Sequence, residues 1–215
     1  MKLFIFDTET TGLINRKHHI EDTHLFPYIV QLSWILYDTD KNTYKYKDYI
    51  IKIPDHVTIH PKSEEIHGIS KKNTIELGVN INQVLNNFTY DMYRSDIIIA
   101  HNLEFDKKMM TVEYKRNNMK DWIERHRGNK YCTMRNSINI CKIVRYSRYN
   151  GAPYFKLPKL IELHQHLFDE IPENLHNSLI DVVVCLRCFY KMKFNEDLNV
   201  VNSKFKNLYN ELCSN

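Results

Sequence analysis

The chain opens with Lys2-Leu3-Phe4-Ile5-Phe6-Asp7-Thr8-Glu9-Thr10-Thr11-Gly12. Leu3-Phe4-Ile5-Phe6 is apolar throughout, the pattern of a buried strand, and it gives way to an acidic cluster. Asp7 and Glu9 stand two apart where this strand ends. In extended backbone, residues i and i+2 share a face, so both carboxylates can converge on one point. Crowded carboxylates repel, and a divalent cation relieves the repulsion. Oxygen donors with no neighbouring Cys or His favour Mg²⁺ or Mn²⁺ over zinc. Read alone, Asp-x-Glu is more simply a solvated pair at a strand end. Thr10-Thr11-Gly12 either turns the chain or uses its glycine to bring backbone N–H groups close to a ligand.

Residues 28–37 carry Ile29, Val30, Leu32, Trp34, Ile35 and Leu36, and residues 43–53 carry Tyr44, Tyr46, Tyr49 and Ile51. Asp38-Thr39-Asp40-Lys41-Asn42 between them is turn chemistry, so the two stretches are expected to pair as a hairpin. Residues 63–68 read as a short helix stopped by Gly68, and residues 82–93 as a helix with Val84, Leu85, Phe88 and Met92 at helical spacing. Residues 96–100 form a second apolar strand. Residues 103–114 and 122–125 read as helices, 131–132 as a brief strand, and 157–167, 177–192 and 198–212 as further helices. The order is that of an α/β fold with an antiparallel hairpin built into the sheet, and it excludes a β-sandwich and a helical bundle. No internal repeat, low-complexity tract or long linker divides the chain. The expected organisation is one domain over residues 1–195, with a helix over 196–215 that packs on it or serves as a partner handle.

The chain has 215 residues, long enough to bury a large core, and its 43% hydrophobic and 26% charged content argues against disorder. With 30 Lys and Arg against 26 Asp and Glu, its net charge of +4 permits a nucleic-acid partner without demanding one. Five cysteines form no disulfide framework, and with no export signal they point to a reducing, intracellular compartment. The apolar run before Asp7 is too short for a signal peptide, and no stretch approaches the ~20 apolar residues of a membrane span.

Two further stretches carry acid. His101-Asn102-Leu103-Glu104-Phe105-Asp106 follows the strand at 96–100, which places Asp106 in the first turns of a helix and in reach of Asp7. A carboxylate near a helix N-terminus is also favoured by the dipole alone, and spacing does not choose between Glu104 and Asp106. His176 and Asp181 lie at the start of the helix at 177–192. Asp181 stands in Leu179-Ile180-Asp181-Val182-Val183-Val184, where an unpaired buried charge is costly and a metal or cation resolves it. His176 in isolation is more simply a capping or surface histidine.

Taken together, these motifs resemble the DEDDh 3′-to-5′ exonucleases, the group containing the proofreading epsilon subunit of bacterial DNA polymerase III. Phe6–Gly12 matches the first motif, His101-Asn102-x-x-Phe105-Asp106 the second, and His176-x-x-x-x-Asp181 the third, in its histidine-bearing form. Ile29-Val30-Gln31-Leu32 and Ile66-His67-Gly68-Ile69 agree. The resemblance implies an RNase H-like fold, with a central mixed five-stranded sheet flanked by helices. It implies that Asp7, Glu9, Asp106 and Asp181 hold two Mg²⁺ or Mn²⁺ ions, with His176 as general base. It implies that Thr8, Thr10, Thr11 and Gly12 line a 3′-terminal nucleotide, with His67, Asn102 and Phe105 as further contacts. His67 serves equally to end a helix, and Phe105 reads better as core. The loop at 13–26 is longer than in compact family members, and Cys132-Thr133 stands where many have an acidic residue before the threonine.

The expected activity is hydrolysis of DNA from the 3′ end to 5′-mononucleotides, with an exoribonuclease or a non-catalytic polymerase-accessory module as the competing readings. The expected partners are nucleic-acid 3′ ends, DNA ahead of RNA, and a separate polymerase or a replication or repair protein, with no membrane. Lys142, Arg145, Arg148, Lys156 and Lys159 interleave with Tyr146, Tyr149, Tyr154 and Phe155. Arg145 and Arg148 there are candidate substrate contacts, since cations with aromatics suit a single strand; alone, the segment is more simply a solvated loop. Cys185-x-x-Cys188 reads as packing, and His18, His19 and His24 as a solvated cluster.

Overall fold

A computed structural model describes residues 1–15, 17–173 and 175–213. Leu3, Phe4, Ile5 and Phe6 are at most 1% exposed, because β1 (Lys2–Thr10) runs through the middle of a sheet covered on both faces. β2 (Ile29–Asp38) lies antiparallel to β1, and β3 (Thr43–Ile50) returns antiparallel to β2 as the expected hairpin. The chain then forms α1 (Pro61–His67), α2 (Lys71–Glu76) and α3 (Ile81–Met92). β4 (Ile97–Ala100) pairs parallel to β1, α4 (Leu103–Arg116) and α5 (Trp122–Arg125) follow, and β5 (Asn129–Cys132) pairs parallel to β4. The sheet order among the described residues is β3-β2-β1-β4-β5, a mixed five-stranded sheet as expected. β1 does not stop at Asp7: its ladder with β2 continues to Thr10 opposite Ile29, with an irregularity between Glu9 and Thr10.

The remaining elements are α6 (Thr133–Asn136), α7 (Ile138–Cys141), a small hairpin of β6 (Val144–Tyr146) and β7 (Pro153–Phe155), α8 (Leu160–Phe168), α9 (Ser178–Phe194), α10 (Leu198–Val201) and α11 (Ser203–Cys213). Strand alternation sorts most of the core into two halves, beside a smaller cluster of Val30, Ile53, Ile59 and Ile69. Leu3 and Ile5, with Ile35, Tyr37 and Ile99, pack against α8, α9 and α11. Phe4 and Phe6, with Leu32, Trp34 and Ile98, pack against α3 and α4, where Phe88 sits edge-on to Phe4 and Phe6 at 4.9 and 5.2 Å.

Several predicted elements come out differently, among them the strand expected over 43–53, which ends at Ile50. The helix expected from residue 157 begins at Leu160, since a proline at 158 disfavours helical backbone before it. The single helix expected over 198–212 breaks at Asn202, whose extended backbone (φ −137°) lets its amide bond Asn42 while its oxygen accepts the Phe205 N–H. The basic, aromatic stretch is not a plain loop but contains β6 and β7.

α11 lies on α9 through Phe205, Leu208 and Tyr209. Arg187 of α9 is 3% exposed, pairs with Asp197 at 2.7 Å and Glu170 at 2.8 Å, and lies between the rings of Phe168 and Tyr209. Ser214 and Asn215 at the end of the predicted 196–215 segment, and Arg16 in the 13–26 loop, lie outside the described residues. No helix among the described residues is long and apolar enough to cross a membrane.

Candidate active site

Four carboxylates meet where β1, the start of α4 and the start of α9 converge. One oxygen each from Asp7, Glu9 and Asp181 lies within 4.8 Å of the others, the only such cluster of potential metal ligands among the described residues. Asp7 and Glu9 share a face because they alternate along β1. Asp181 arrives one turn into α9, whose start is fastened to the sheet: the Ser178 hydroxyl donates to the Asp7 carbonyl at 2.7 Å, and the Ser178 N–H donates to Gln31 Oε1 at 3.1 Å. Gln31 is 1% exposed and donates in turn to Asp48 at 2.9 Å.

Asp106 reaches the cluster from the other side of the sheet. Its Oδ1 accepts both the backbone N–H of Thr8, at 3.1 Å, and the Thr8 hydroxyl, at 2.8 Å. It stands outside the 4.8 Å group but close enough for its charge to act on Glu9. Burial separates the two acids that spacing left level: Asp106 is 2% exposed, whereas Glu104 points to solvent and pairs with Arg135 at 2.6 Å. Thr8, grouped by resemblance with the substrate contacts, instead spends its hydroxyl on Asp106 and is 5% exposed.

Burial drives the electrostatics. Asp7 is pushed up to about 7 by desolvation. Glu9 is pushed up to about 10, by desolvation first and then by the charges of Asp7, Asp181 and Asp106. Asp106 and Asp181 are raised well above the usual carboxylate range, by burial and then by Asp7. Oδ2 of Asp7 is buried with no hydrogen-bond partner. An all-oxygen set that resists ionisation on its own and holds an orphaned oxygen fits a hard divalent cation.

The other predicted residues divide. His176 is exposed, with a left-handed backbone (φ 74°), and its N–H faces Asp181 Oδ1 at 3.5 Å. It does not cap α9; Asn177 does, accepting the Leu179 N–H. The hydroxyls of Thr10 and Thr11 build the turn itself, donating to the Gly12 carbonyl at 2.7 Å and accepting the Tyr28 N–H at 3.0 Å. Gly12 has no positive φ, and a Cβ there would meet only His60 Cβ at 3.9 Å, so the chain's own packing does not require glycine. His67 is buried at the end of α1, its Nδ1 accepts the Ile69 N–H, and burial holds its pKa down. Asn102 has φ 73° and precedes α4 without a side-chain cap bond. Phe105 is half-buried against the Phe4–Phe88 core. Arg145 and Arg148 stand exposed on the β6–β7 hairpin.

Several supporting residues had no reading as such in the sequence. His101 is held neutral, with its pKa down to about 4 through burial. A carbonyl only accepts, so His101 Nε2–H donates to Pro158 O at 3.1 Å and Nδ1 faces the Thr133 hydroxyl at 3.0 Å. Ser178 gave no signal, since its role is a hydroxyl on a backbone carbonyl. Gln31 was visible as a polar residue in an apolar strand. The cysteines are free thiols.

The family model described as Exonuclease matches residues 4–189. E. coli Exonuclease I in complex with a dT13 oligonucleotide superposes with a TM-score of 0.64 at 16% identity, over 95% of this chain and 43% of that one. An Exonuclease I structure described as suggesting how processivity is achieved gives 0.67 at 17% identity, over 94% and 43%. A moderately thermophilic Exonuclease I from Methylocaldum szegediense gives 0.64 at 16% identity, over 94% and 43%. The chain thus spans less than half the length of these structures. Among curated proteins none matches it.

Proposed function

The chain belongs to the Exonuclease family, and from that premise we propose that it is a metal-dependent 3′-to-5′ exonuclease that releases 5′-mononucleotides from DNA. The observation that carries this reading is the orphaned Oδ2 of Asp7 among carboxylates that burial and mutual repulsion keep from ionising. Asp7, Glu9, Asp106 and Asp181 would hold two Mg²⁺ or Mn²⁺ ions. Such ions, when bound, supply positive charge to the attacking and leaving oxygens of an in-line displacement.

The chain's own groups do the rest. His176, exposed beside Asp181, takes the proton of the attacking water at its imidazole. The turn at Thr10, Thr11 and Gly12 offers the terminal nucleotide a surface with no side chain at its centre, so contact falls on backbone and sugar and every base is accepted. By the family resemblance, Asn102 and His67 would add further contacts to that nucleotide. DNA is favoured over RNA because the neighbouring E. coli structures are of complexes with deoxyoligonucleotides, dT13 and dA16 among them. A separate polymerase or repair protein would supply the 3′ ends. Residues 1–195 carry all of these groups, and α10 and α11 serve as a brace on α9.

Matched DNA and RNA oligonucleotides digested with Mg²⁺, Mn²⁺ or EDTA test the reading. Metal-dependent loss of DNA from the 3′ end is expected. Faster loss of RNA makes the chain an exoribonuclease, and binding without cleavage makes it an accessory module.

A further inference from the structure

Between Glu124 and Glu162 the sequence contains no Asp or Glu, and it carries nine cations: Arg125, Arg127, Lys130, Arg135, Lys142, Arg145, Arg148, Lys156 and Lys159. That exceeds the net charge of +4 for the whole chain. Only Arg135 and Lys156 among them form ion pairs within the described residues. The centre of this segment is the β6–β7 hairpin.

Its register is Val144 opposite Phe155, Arg145 opposite Tyr154 and Tyr146 opposite Pro153. One face therefore presents Val144, Tyr146, Pro153 and Phe155, and the other Arg145 and Tyr154. Both faces are open: Tyr146 is 70% exposed, Tyr154 52% and Phe155 44%, and Tyr149 in the turn is 98% exposed. A two-stranded ribbon this short gains little stability by itself, and clustered aromatics facing water mark a binding surface.

The hairpin is anchored at its base. The Lys156 N–H donates to the Ile143 carbonyl at 3.0 Å, and the Pro158 carbonyl accepts from His101. His101 in turn contacts Thr133, which touches Cys185 at 3.6 Å, one helical turn beyond Asp181. The base of the arm is thus joined through His101 and Thr133 to α9, the helix that carries Asp181.

We propose that the β6–β7 hairpin is a docking arm for single-stranded DNA, with Tyr146, Tyr149 and Phe155 stacking on bases and Arg145 and Arg148 on phosphates. This rests on the nuclease reading for the source of the strand and adds the strand's form. Charge complementarity selects a polyanion. The exposed rings select one with unpaired bases, because a duplex hides its base faces.

The test is fluorescence anisotropy in EDTA with labelled dT3, dT15 and a 15-base-pair duplex, comparing wild type with Tyr146→Ala/Tyr149→Ala and Arg145→Ala/Arg148→Ala, each checked by circular dichroism. Wild type is expected to bind dT15 at least about ten-fold tighter than dT3, and each double variant to lose roughly five-fold or more of its affinity for dT15. The arginine variant should also shallow the salt dependence by about 1.4 in log–log slope. The tyrosine variant should leave duplex affinity unmoved. Unchanged dT15 affinity in both variants overturns the arm, as does a wild type that ignores dT15. A wild-type dimer that the tyrosine variant dissociates assigns the face to a second copy and overturns it too. Because EDTA silences cleavage, binding through the arm without any Mg²⁺-dependent digestion overturns only the nuclease reading. Digestion with unaltered binding by the variants overturns only the arm.

Discussion

Thr8 gives both its backbone N–H and its hydroxyl to the same oxygen of Asp106, at 3.1 and 2.8 Å, across 98 residues of sequence. This pair of bonds ties α4 to β1 and fixes one oxygen of a buried acid, leaving the other for the cluster. Thr8→Val keeps the shape and the backbone bond but removes the hydroxyl. The Mg²⁺ concentration for half-maximal activity should rise about ten-fold, the usual scale for losing a group that orients a metal ligand, and Thr8→Ser should restore it. An unchanged Mg²⁺ titration in Thr8→Val would place Asp106 outside metal binding.

Gln31 holds the start of α9 through the Ser178 N–H. Gln31→Leu leaves that buried donor unpaired, at a cost of about 2 kcal/mol. The melting temperature should fall by roughly 4–8 °C, and turnover should fall with it as Asp181 loses its register. Calorimetry showing no fall would remove Gln31 from the support of the site.

The raised carboxyls set the direction of a pH effect. Asp7 and Glu9 favour their protonated forms in the fold, so metal-free stability is greatest below the ordinary carboxylate range near pH 4. It is lost as pH rises through about 7 for Asp7 and onward toward about 10 for Glu9. In EDTA the melting temperature should therefore drop from pH 5 to pH 8. Mg²⁺ should raise it more at pH 8, where fewer protons must be displaced. Equal Mg²⁺ increments at the two pH values would contradict this linkage.

Gly12 separates fold from ligand. Its Cβ space is open and its backbone ordinary, so Gly12→Ala should hold or raise stability by up to about 1 kcal/mol. It should nonetheless raise KM for a 3′-terminal substrate several-fold, since the methyl group stands where backbone meets nucleotide. A variant with both stability and KM unmoved would place the terminal nucleotide elsewhere.

Much of this was legible in sequence where one physical demand dominated. Leu3–Phe6 read as a buried strand because the apolar run is short and gives way at once to an acidic cluster, and the turn at 38–42 announced the hairpin. Asp181 stood out because a charge amid Leu, Ile and Val needs a partner. Spacing could not separate Glu104 from Asp106, because only the third dimension shows which faces Thr8. The break at Asn202 depends on Asn42, 160 residues away. β6 and β7 are three residues each with neither face buried, so they carry no core-facing pattern long enough to read.

The central claim is that the buried carboxylates form a metal-dependent centre acting on 3′ ends. The most direct measurement is digestion of a 5′-labelled single-stranded DNA by wild type and by Asp181→Asn, with Mg²⁺ or EDTA, alongside identification of the released product. The account predicts a ladder that shortens from the 3′ end, 5′-mononucleotide release, and no turnover either in EDTA or with Asp181→Asn. Full activity of Asp181→Asn, or digestion that persists in EDTA, would contradict it.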